Sequence, residues 1–538
     1  MSAEEVAPPA QSEIWEAAAV APPESGSTGA APERKLRCKP IDREQMTWAA
    51  IDVDQLVPPD HFVRALWALV GKMDLSLFWA NSKAVEGMAG CSPYDSRLLI
   101  CLWVLAYSEG VSSAHEVERR CEYHPAYRWL TGLGTISHRT MSGFRVEYQA
   151  ALDDLFTQVL ALLQNEGLIQ LEQVTQDGTK VKAAASRSSL HRQATLARHL
   201  EEARARVQAM GDPQQDGGME LSRRQQAAQA RAAREQVARM EAAMEEIKKV
   251  QAEAATDPKK DVAECRVSES EPEARKMKHA DDAFAPSYNL QLETDATAGA
   301  LVGMQVVQAC NDKHQLEPGL QEVERRMGEL PQQAVVDKGY GNRETVLKAD
   351  EMGVDLYAGG NLEDGGNAAA AERNCKKRGV APEFYPQQFV YDAASDLYRC
   401  PAGQPLPHRG VKQDRVGVER HQYRADPATC RACPHRAQCC PGKSTLGRRI
   451  VRTQNVPVVA AFVEKMKTGE AQAIYRQRGQ TAEFPNLWIK DKLGLRRFRV
   501  RGLVKVRCEA LWACLTYNLQ LFARKLWKPR LAAAMATA

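Results

Sequence analysis

The feature that most constrains this sequence is a change of period between Leu168 and Tyr357. Leu168 to Lys182, with Val174 and Val181, alternates as a strand does. Residues 187–256 are instead Ala, Glu, Gln and Arg with few aromatics. Val237, Met240, Met244 and Ile247 recur there at spacings of three and four, which makes a helical seam. This predicts a helical hairpin or short coiled coil (186–275), broken at Gly211 to Gly218 and leaving a sheet directly after a strand. Strand signals resume at Tyr288 to Glu293 and Ala300 to Ala309, with Asp295 and Gly299 in the turn. Leu316 to Leu330 reads as an amphipathic helix. Gln333 to Val336 is a short buried strand ending at Asp337, Asn342 to Met352 a helix, and Val354 to Tyr357 a strand. Two strands joined by a turn, then helix, strand, helix and strand, make an α/β core over 166–185 and 276–360.

The flanks of this core differ from it and from each other. At roughly 100–200 residues per domain, 538 residues suggest three or four structural units. Residues 1–34, rich in Ala, Pro, Glu, Ser and Gly, cannot bury enough surface to offset ordering and read as a disordered arm. Residues 35–165 read as a helical N-terminal domain, with dense apolar faces at Ala49 to Met73 and Tyr94 to Ser108. Ser113 and Glu116 form a capping-box pattern. Ser137 is the expected N-cap of a helix running from His138 towards Leu163. These helices could include a helix-turn-helix with Ser137 to Tyr148 as its DNA reader; a plain bundle is the alternative. Residues 361–450 are loop-rich with β character. Within 451–530, Val458 to Gln480 is mainly helical after Pro457, and Phe484 to Leu521 reads as a basic helical tail. Leu531 to Ala538 is expected to fray.

Composition excludes some classes. With 44% hydrophobic and 26% charged residues, a core of useful size can be buried. No run of eighteen apolar residues is present, so no transmembrane helix is expected and no membrane partner. The N-terminus lacks the basic and apolar regions of a signal peptide. Fourteen cysteines in such a chain point to reduced thiols or metal ligands rather than a disulfide frame, and to the cytoplasm. A net charge of +4 does not by itself argue for nucleic acid, but its concentration in the last fifty residues matters.

Two acids stand at the ends of core strands. Asp177 lies in Gln176-Asp177-Gly178, and Asp337 in Val335-Val336-Asp337-Lys338-Gly339. A carboxylate there is costly to desolvate unless a cation or hydrogen-bond donors meet it. Two from adjacent strands could share Mg²⁺, a hard ion that prefers oxygen; capping of a strand end is the plain alternative. The third part is the segment from Tyr475 to Lys490. At 100° per residue Glu483 and Lys490 fall within about 20° of each other, and Tyr475 and Arg478 join them in roughly a 140° arc. That face can hold a metal and clamp phosphates, or it is a solvated amphipathic face. Pro485 removes a helical donor and is expected to kink this helix or start a new one.

The order Asp, Asp, then Tyr-x-x-Arg…Glu-x6-Lys resembles bacterial insertion-sequence transposases of the DDE class, most of all the family called eleven-eighty-two. The similarity covers most of Lys35 to Phe522, through Arg119 to Pro125, Phe284 to Asn289 and Phe498 to Val506. The resemblance implies an RNase-H-like core with Asp177 on its first strand, Asp337 at the end of its fourth and Glu483 on a late helix. It implies two divalent ions, Mg²⁺ or Mn²⁺, on these acids, and transposon-end phosphates held by Tyr475, Arg478 and Lys490. It further implies double-stranded DNA, ends and target, as partner, a homodimer in the DNA complex, and cleavage followed by strand transfer. A related nuclease without strand transfer and a non-catalytic DNA-binding protein are the alternatives. Four residues, Gly479 to Ala482, separate Arg478 from Glu483 where the family's signature has three; Gly479 could absorb the extra one as a bulge.

Two further patterns carry chemistry. Cys400, Cys430, Cys433 and Cys439 form C-x29-C-x2-C-x5-C, with Cys440 adjacent. A C-x2-C pair is the usual half of a structural Zn²⁺ site, and His435 could replace a cysteine; unliganded thiols in an inserted subdomain are the alternative. Between Lys490 and Arg507 there are eight Lys or Arg and one Asp. With Leu493, Leu495, Phe498 and Val500 interleaved, Arg496, Arg497, Arg499 and Arg501 can face phosphates while the segment packs on the core.

Overall fold

A computed structural model describes residues 46, 50–80, 94–210, 222–257, 260–360, 362, 368–413, 419–442 and 446–537. Residues 52–538 form one compact unit, treated by itself below. The expected arm at 1–34, the first residue of the helix expected from Ala49 and the break at Gly211 to Gly218 lie outside the described residues.

The unit opens on helices α1 (Phe62–Val70), α2 (Ser96–Ser108), α3 (Ala114–Tyr123), α4 (Pro125–Thr131), α5 (His138–Glu147) and α6 (Gln149–Asn165). The Ser137 hydroxyl accepts the Thr140 amide at the start of α5. Ser113 makes no such bond, and the Glu116 carboxylate is drawn to Arg119 and Arg120, so neither half of the expected capping box forms. The single helix expected from His138 towards Leu163 breaks at Tyr148, whose ring packs on Phe78 and Phe144.

Strand β1 (Gln173–Lys182) begins the sheet, and β2 (Leu190–His191) leads out of it. Helices α7 (Gln193–Ala209) and α8 (Arg223–Ala255) then pack together, and β3 (Val267–Ser268) returns to pair with β2. The seam of this hairpin is Met240, Ala243 and Ile247, all buried; Val237 and Met244 lie at its margin. Next come β4 (Arg275–Lys278), β5 (Phe284–Asp295), β6 (Leu301–Val307), α9 (Leu316–Met327), β7 (Gln333–Val336), α10 (Arg343–Glu351) and β8 (Asp355–Ala358). The strands lie in the order β6-β5-β1-β7-β8, with β4 beside the first part of β5. β5 is antiparallel to β1, β4 and β6, whereas β7 pairs parallel to β1 and β8 parallel to β7. The C-terminal ends of β1, β7 and β8 therefore open to one edge.

The cysteine-bearing region, read as largely loop, contains a five-stranded antiparallel sheet: β9 (Val390–Asp392), β10 (Leu397–Arg399), β11 (Pro405–Gln413), β12 (Glu419–Arg424) and β13 (Arg449–Gln454), in that order. Its three longest strands bury one apolar or aromatic side chain each, Leu406, Tyr423 and Ile450, which is too little alternation to mark a strand in sequence.

The C-terminal part departs furthest from expectation. Helices α11 (Pro457–Lys467) and α12 (Gly469–Arg478) are followed by further helical turns to Lys492, and the chain then extends. The expected basic helical tail is two different things: an irregular basic segment, and α13 (Leu503–Phe522), which is buried almost all round. α13 packs against α2, α5, α6 and β6, so one hydrophobic core, with Trp103, Phe156, Leu290 and Trp512, joins the N-terminal helices to the sheet. Its Asn518 amide donates to the Leu301 carbonyl and accepts the Leu301 amide (2.8 and 3.0 Å), so the free edge of β6 is satisfied inside the core. The terminus expected to fray is an exposed helix, α14 (Lys528–Thr537). Among the described residues no helix is long and apolar enough to cross a membrane.

Candidate active site

Asp177 sits within β1 and Asp337 directly after β7, its parallel neighbour. The helical run from Gly469 to Lys492 crosses the same edge. Tyr475 lies against Gly359, just beyond β8; a Cβ there would overlap the phenol. One turn on, the half-buried Arg478 places its guanidinium 3.7 Å from Asp337 and 3.8 Å from Glu483. Further along, Asn486 donates to Asp177 Oδ2 at 3.0 Å.

The backbone explains how Glu483 joins Arg478. Residues five apart on an α-helix point about 140° away from each other. Gly479–Glu483 is a π-helical turn, whose i→i+5 bonding stacks such a pair. The extra residue after Arg478 is absorbed there, and Pro485 follows without breaking the run. A second π turn, Trp488–Lys492, carries Lys490. The uniform 100° wheel is thus wrong for this segment, although Arg478 and Asn486 still reach the two strands' acids.

The electrostatics centre on Asp177. Burial pushes its carboxyl up to about 6, opposed by Arg478 and by the Gly178 amide; Asp337 and a further acid, Asp312, add to the rise. Burial lowers the Lys490 ammonium, with Arg496 helping and Asp177 pulling the other way.

Sequence reasoning missed Asp312. It follows β6 in a loop, and its Oδ1 accepts from Asn289 (2.8 Å) and Gln291 (2.7 Å), both on β5. A Cβ on Gly178 would overlap this carboxylate, and one on Gly339 would stand 3.6 Å from Oδ2. The two glycines that follow the strand acids are therefore where Asp312 fits between them. The one sequence signal was an acid just past the end of a strand-like run. Beneath it Tyr340 donates to Gln291, and Gln176 bonds Gln291 and the Gln315 carbonyl.

The basic run is zipped to the end of β1. The Lys182 amide donates to the Arg496 carbonyl, and the Phe498 amide to the Lys182 carbonyl. Leu495 and Phe498 are buried while Arg496, Arg497, Arg499 and Arg501 stay exposed. The buried Glu509 of α13 accepts the Arg499 amide at 2.8 Å and so fixes the segment's course.

The cysteines converge more loosely. Cys400, Cys430, Cys433, Cys439 and Cys440 line a cavity of about 30 Å³ together with Arg436 and Arg448. The amides of Gln404 and Arg448 donate to the sulfurs of Cys400 (3.3 Å) and Cys430 (3.4 Å). Every described cysteine is a free thiol. His435 stacks against Phe384 rather than entering the group.

Residues 399–523 match the family model described as a transposase DDE domain, and residues 51–147 match one described as a transposase domain. The first match includes Glu483 and stops short of Asp177 and Asp337. No curated protein and no solved structure matches the chain.

Proposed function

The chain is an insertion-sequence transposase of the DDE class, a metal-dependent enzyme of DNA cleavage and transposition, and we propose that Asp177, Asp337 and Glu483 are its metal-binding triad. The observation that carries this reading is the meeting of Asp337 and Glu483 on one guanidinium, Arg478, which also acts on Asp177. Three segments far apart in sequence bring oxygen donors to one strand edge, the donor set that Mg²⁺ or Mn²⁺ takes. Bound there, two such ions would activate the attacking water or 3′-hydroxyl and stabilise charge at phosphorus. The strand order β6-β5-β1-β7-β8, with its first three strands antiparallel and its last two parallel to β1, supports an RNase-H-like core.

The protein's own groups divide the remaining work. Asn486 orients Asp177. Asp312, held by two amides, lies against Gly178 and Gly339, the glycines that follow the two strand acids, and adds to the negative field at Asp177. With metal on the acids, Arg478, now beside Asp337 and Glu483, would be free to hold the scissile phosphate, with Tyr475 and Lys490 on the same helical run. Arg496, Arg497, Arg499 and Arg501 hold the backbone of a transposon end, the N-terminal helices grip the same DNA, and two copies of the chain pair the ends. Strand transfer into target DNA, in the manner of the eleven-eighty-two family, completes the reading. In the cysteine subdomain, Cys400, Cys430, Cys433 and Cys439, which line one cavity, would hold a structural Zn²⁺.

The deciding experiment incubates the protein and Mg²⁺ with DNA bearing candidate terminal repeats beside a second duplex, and maps cut and joined strands. Cleavage at the repeat ends with joining of the 3′ end is expected. Cleavage without joining would reduce the protein to a nuclease, and Mg²⁺-dependent cleavage by Asp177→Ala would remove that residue from the site.

A further inference from the structure

At the neck of the helical hairpin, outside the group of acids that forms the active centre, lies a second group of ligand side chains. Among the described residues, the set of three or more His, Cys, Asp and Glu side chains whose ligand atoms all lie within 4.8 Å of one another is His191, His199 and Glu269. We propose that these three residues bind a zinc-class divalent ion that clasps the two ends of the hairpin.

The geometry suits the ion. His199 Nδ1 is 2.8 Å and His191 Nε2 3.5 Å from the same Glu269 oxygen, Oε2. Ligands about 2.0–2.2 Å from a tetrahedral zinc stand roughly 3.3–3.6 Å apart, so small side-chain adjustments complete the shell. Two imidazoles and a carboxylate are donors that zinc accepts, with a fourth position left for water. Each side chain is about a quarter exposed, so that position is open to solvent.

The frame is fixed before any ion arrives. His191 lies on β2, which pairs with β3, and the Glu269 amide donates to the Ser189 carbonyl at 2.9 Å. The buried hydroxyls of Ser189 and Ser268 meet at 2.7 Å. His199 stands on α7 between Leu196 and Leu200, which face the hairpin's interior. The far nitrogen of His199 faces Arg198, 3.3 Å away, an exposed side chain that also reaches Glu202 and can turn wholly to it. A bound ion would join the strand that leaves the sheet, the first hairpin helix and the strand that returns. Its place in the sequence, between the strand bearing Asp177 and the rest of the sheet, makes it a structural clasp and not part of the chemistry.

The test uses the full-length chain, stripped with a chelator and titrated with Co²⁺ and then Zn²⁺. Thiolate ligation of Co²⁺ gives intense near-ultraviolet bands and imidazole–carboxylate ligation does not, so the clasp is told apart from the cysteine group. Beyond the ions held by the acid centre, wild type should take up one further equivalent of Co²⁺ without thiolate bands, and Zn²⁺ should displace it. His199→Ala and Glu269→Gln should each lose that equivalent while keeping any thiolate signal. The melting temperature of Cys430→Ser/Cys433→Ser/Asp177→Ala protein should rise with Zn²⁺, and adding His191→Ala should abolish the rise. Unchanged non-thiolate uptake in the two folded variants, or no such uptake by wild type, overturns the proposal and leaves an ordinary hydrogen-bonded trio.

Discussion

The acid centre and the basic segment lie at the same strand, β1, and depend on structure in opposite ways. Each acid holds its place through particular partners: Asp177 through Asn486 and the Gly178 amide, Asp312 through Asn289 and Gln291, Glu483 through a π turn. The arginines from Arg496 to Arg501 are exposed, and what is fixed is their backbone, by Lys182 and Glu509. One region works by position, so single changes should abolish function. The other works by amount of charge, so single changes should only reduce it. The sharpest break of this contrast is Asp177→Ala, Asp337→Ala and Glu483→Ala. Cleavage should fall to background in each while DNA binding stays near wild type, as read by strand-cleavage and gel-shift assays. A triad variant that loses binding as strongly as cleavage would put the two regions in one class.

Asp312→Asn should come next. It keeps shape and one oxygen acceptor but removes a negative charge that acts on Asp177 from beside Gly178 and Gly339. Residues that support a metal's ligands are commonly worth roughly 10–100-fold in metal affinity or activity. Mn²⁺ affinity measured by calorimetry without DNA should weaken by that order, and cleavage should need more metal. Unchanged affinity would make Asp312 only a wedge between Gly178 and Gly339.

Below the site the same logic acts on stability. Glu293 on β5 is fully buried with neither oxygen bonded, and burial, with Glu322 beside it, pushes its carboxyl up to about 8. A folded-state value above the unfolded one means that the folded chain holds the proton more tightly. The group therefore costs nothing below the unfolded value near 4.5, and its cost grows as pH rises from there to about 8. Glu293→Gln should be nearly neutral at pH 4.5 and stabilise by roughly 3 kcal/mol at pH 7. Melting curves at the two pH values measure this. An equal effect at both would mean that the carboxyl is not titrating in the folded core.

The two regions also differed in how far sequence revealed them. Asp177 and Asp337 were legible because each is an acid in or directly after a strand-like run, with a glycine one or two positions later. The α7–α8 hairpin was legible because its buried stripe is narrow and keeps helical spacing. Asp312 was not, because its partners Asn289 and Gln291 come from another strand and only the fold brings them together. The Glu483 segment was half legible: the residues stand in order, but a wheel assumes one period and two π turns change it. α13 was misread because arginines precede it, and a helix buried all round has no polar face to betray its period. In the β9–β13 region only the β character was legible and not the individual strands, because too few side chains are buried to show alternation.

The smallest effect should fall on the basic segment, and Arg497 is its cleanest probe. Arg496 is paired with Asp491, Arg499 reaches Ser112, and Arg501 donates to the Ala184 carbonyl. Lys490 is half-buried beside Asp177, so its removal disturbs the acids as well as the charge. Among the described residues, the Arg497 side chain is held only by a long contact to the Ala185 carbonyl, at 3.5 Å. If it touches one phosphate, Arg497→Ala should weaken binding a few-fold on every DNA sequence alike. The slope of log affinity against log salt should become shallower by about 0.9, the release expected for one phosphate contact on duplex DNA. Arg497→Lys keeps the charge and should keep the slope. Cleavage at saturating protein should be unchanged in both, because the acid centre is untouched. Loss of cleavage at saturation would show that this arginine works by position, and the division between the two regions would fail at the residue where it should be plainest.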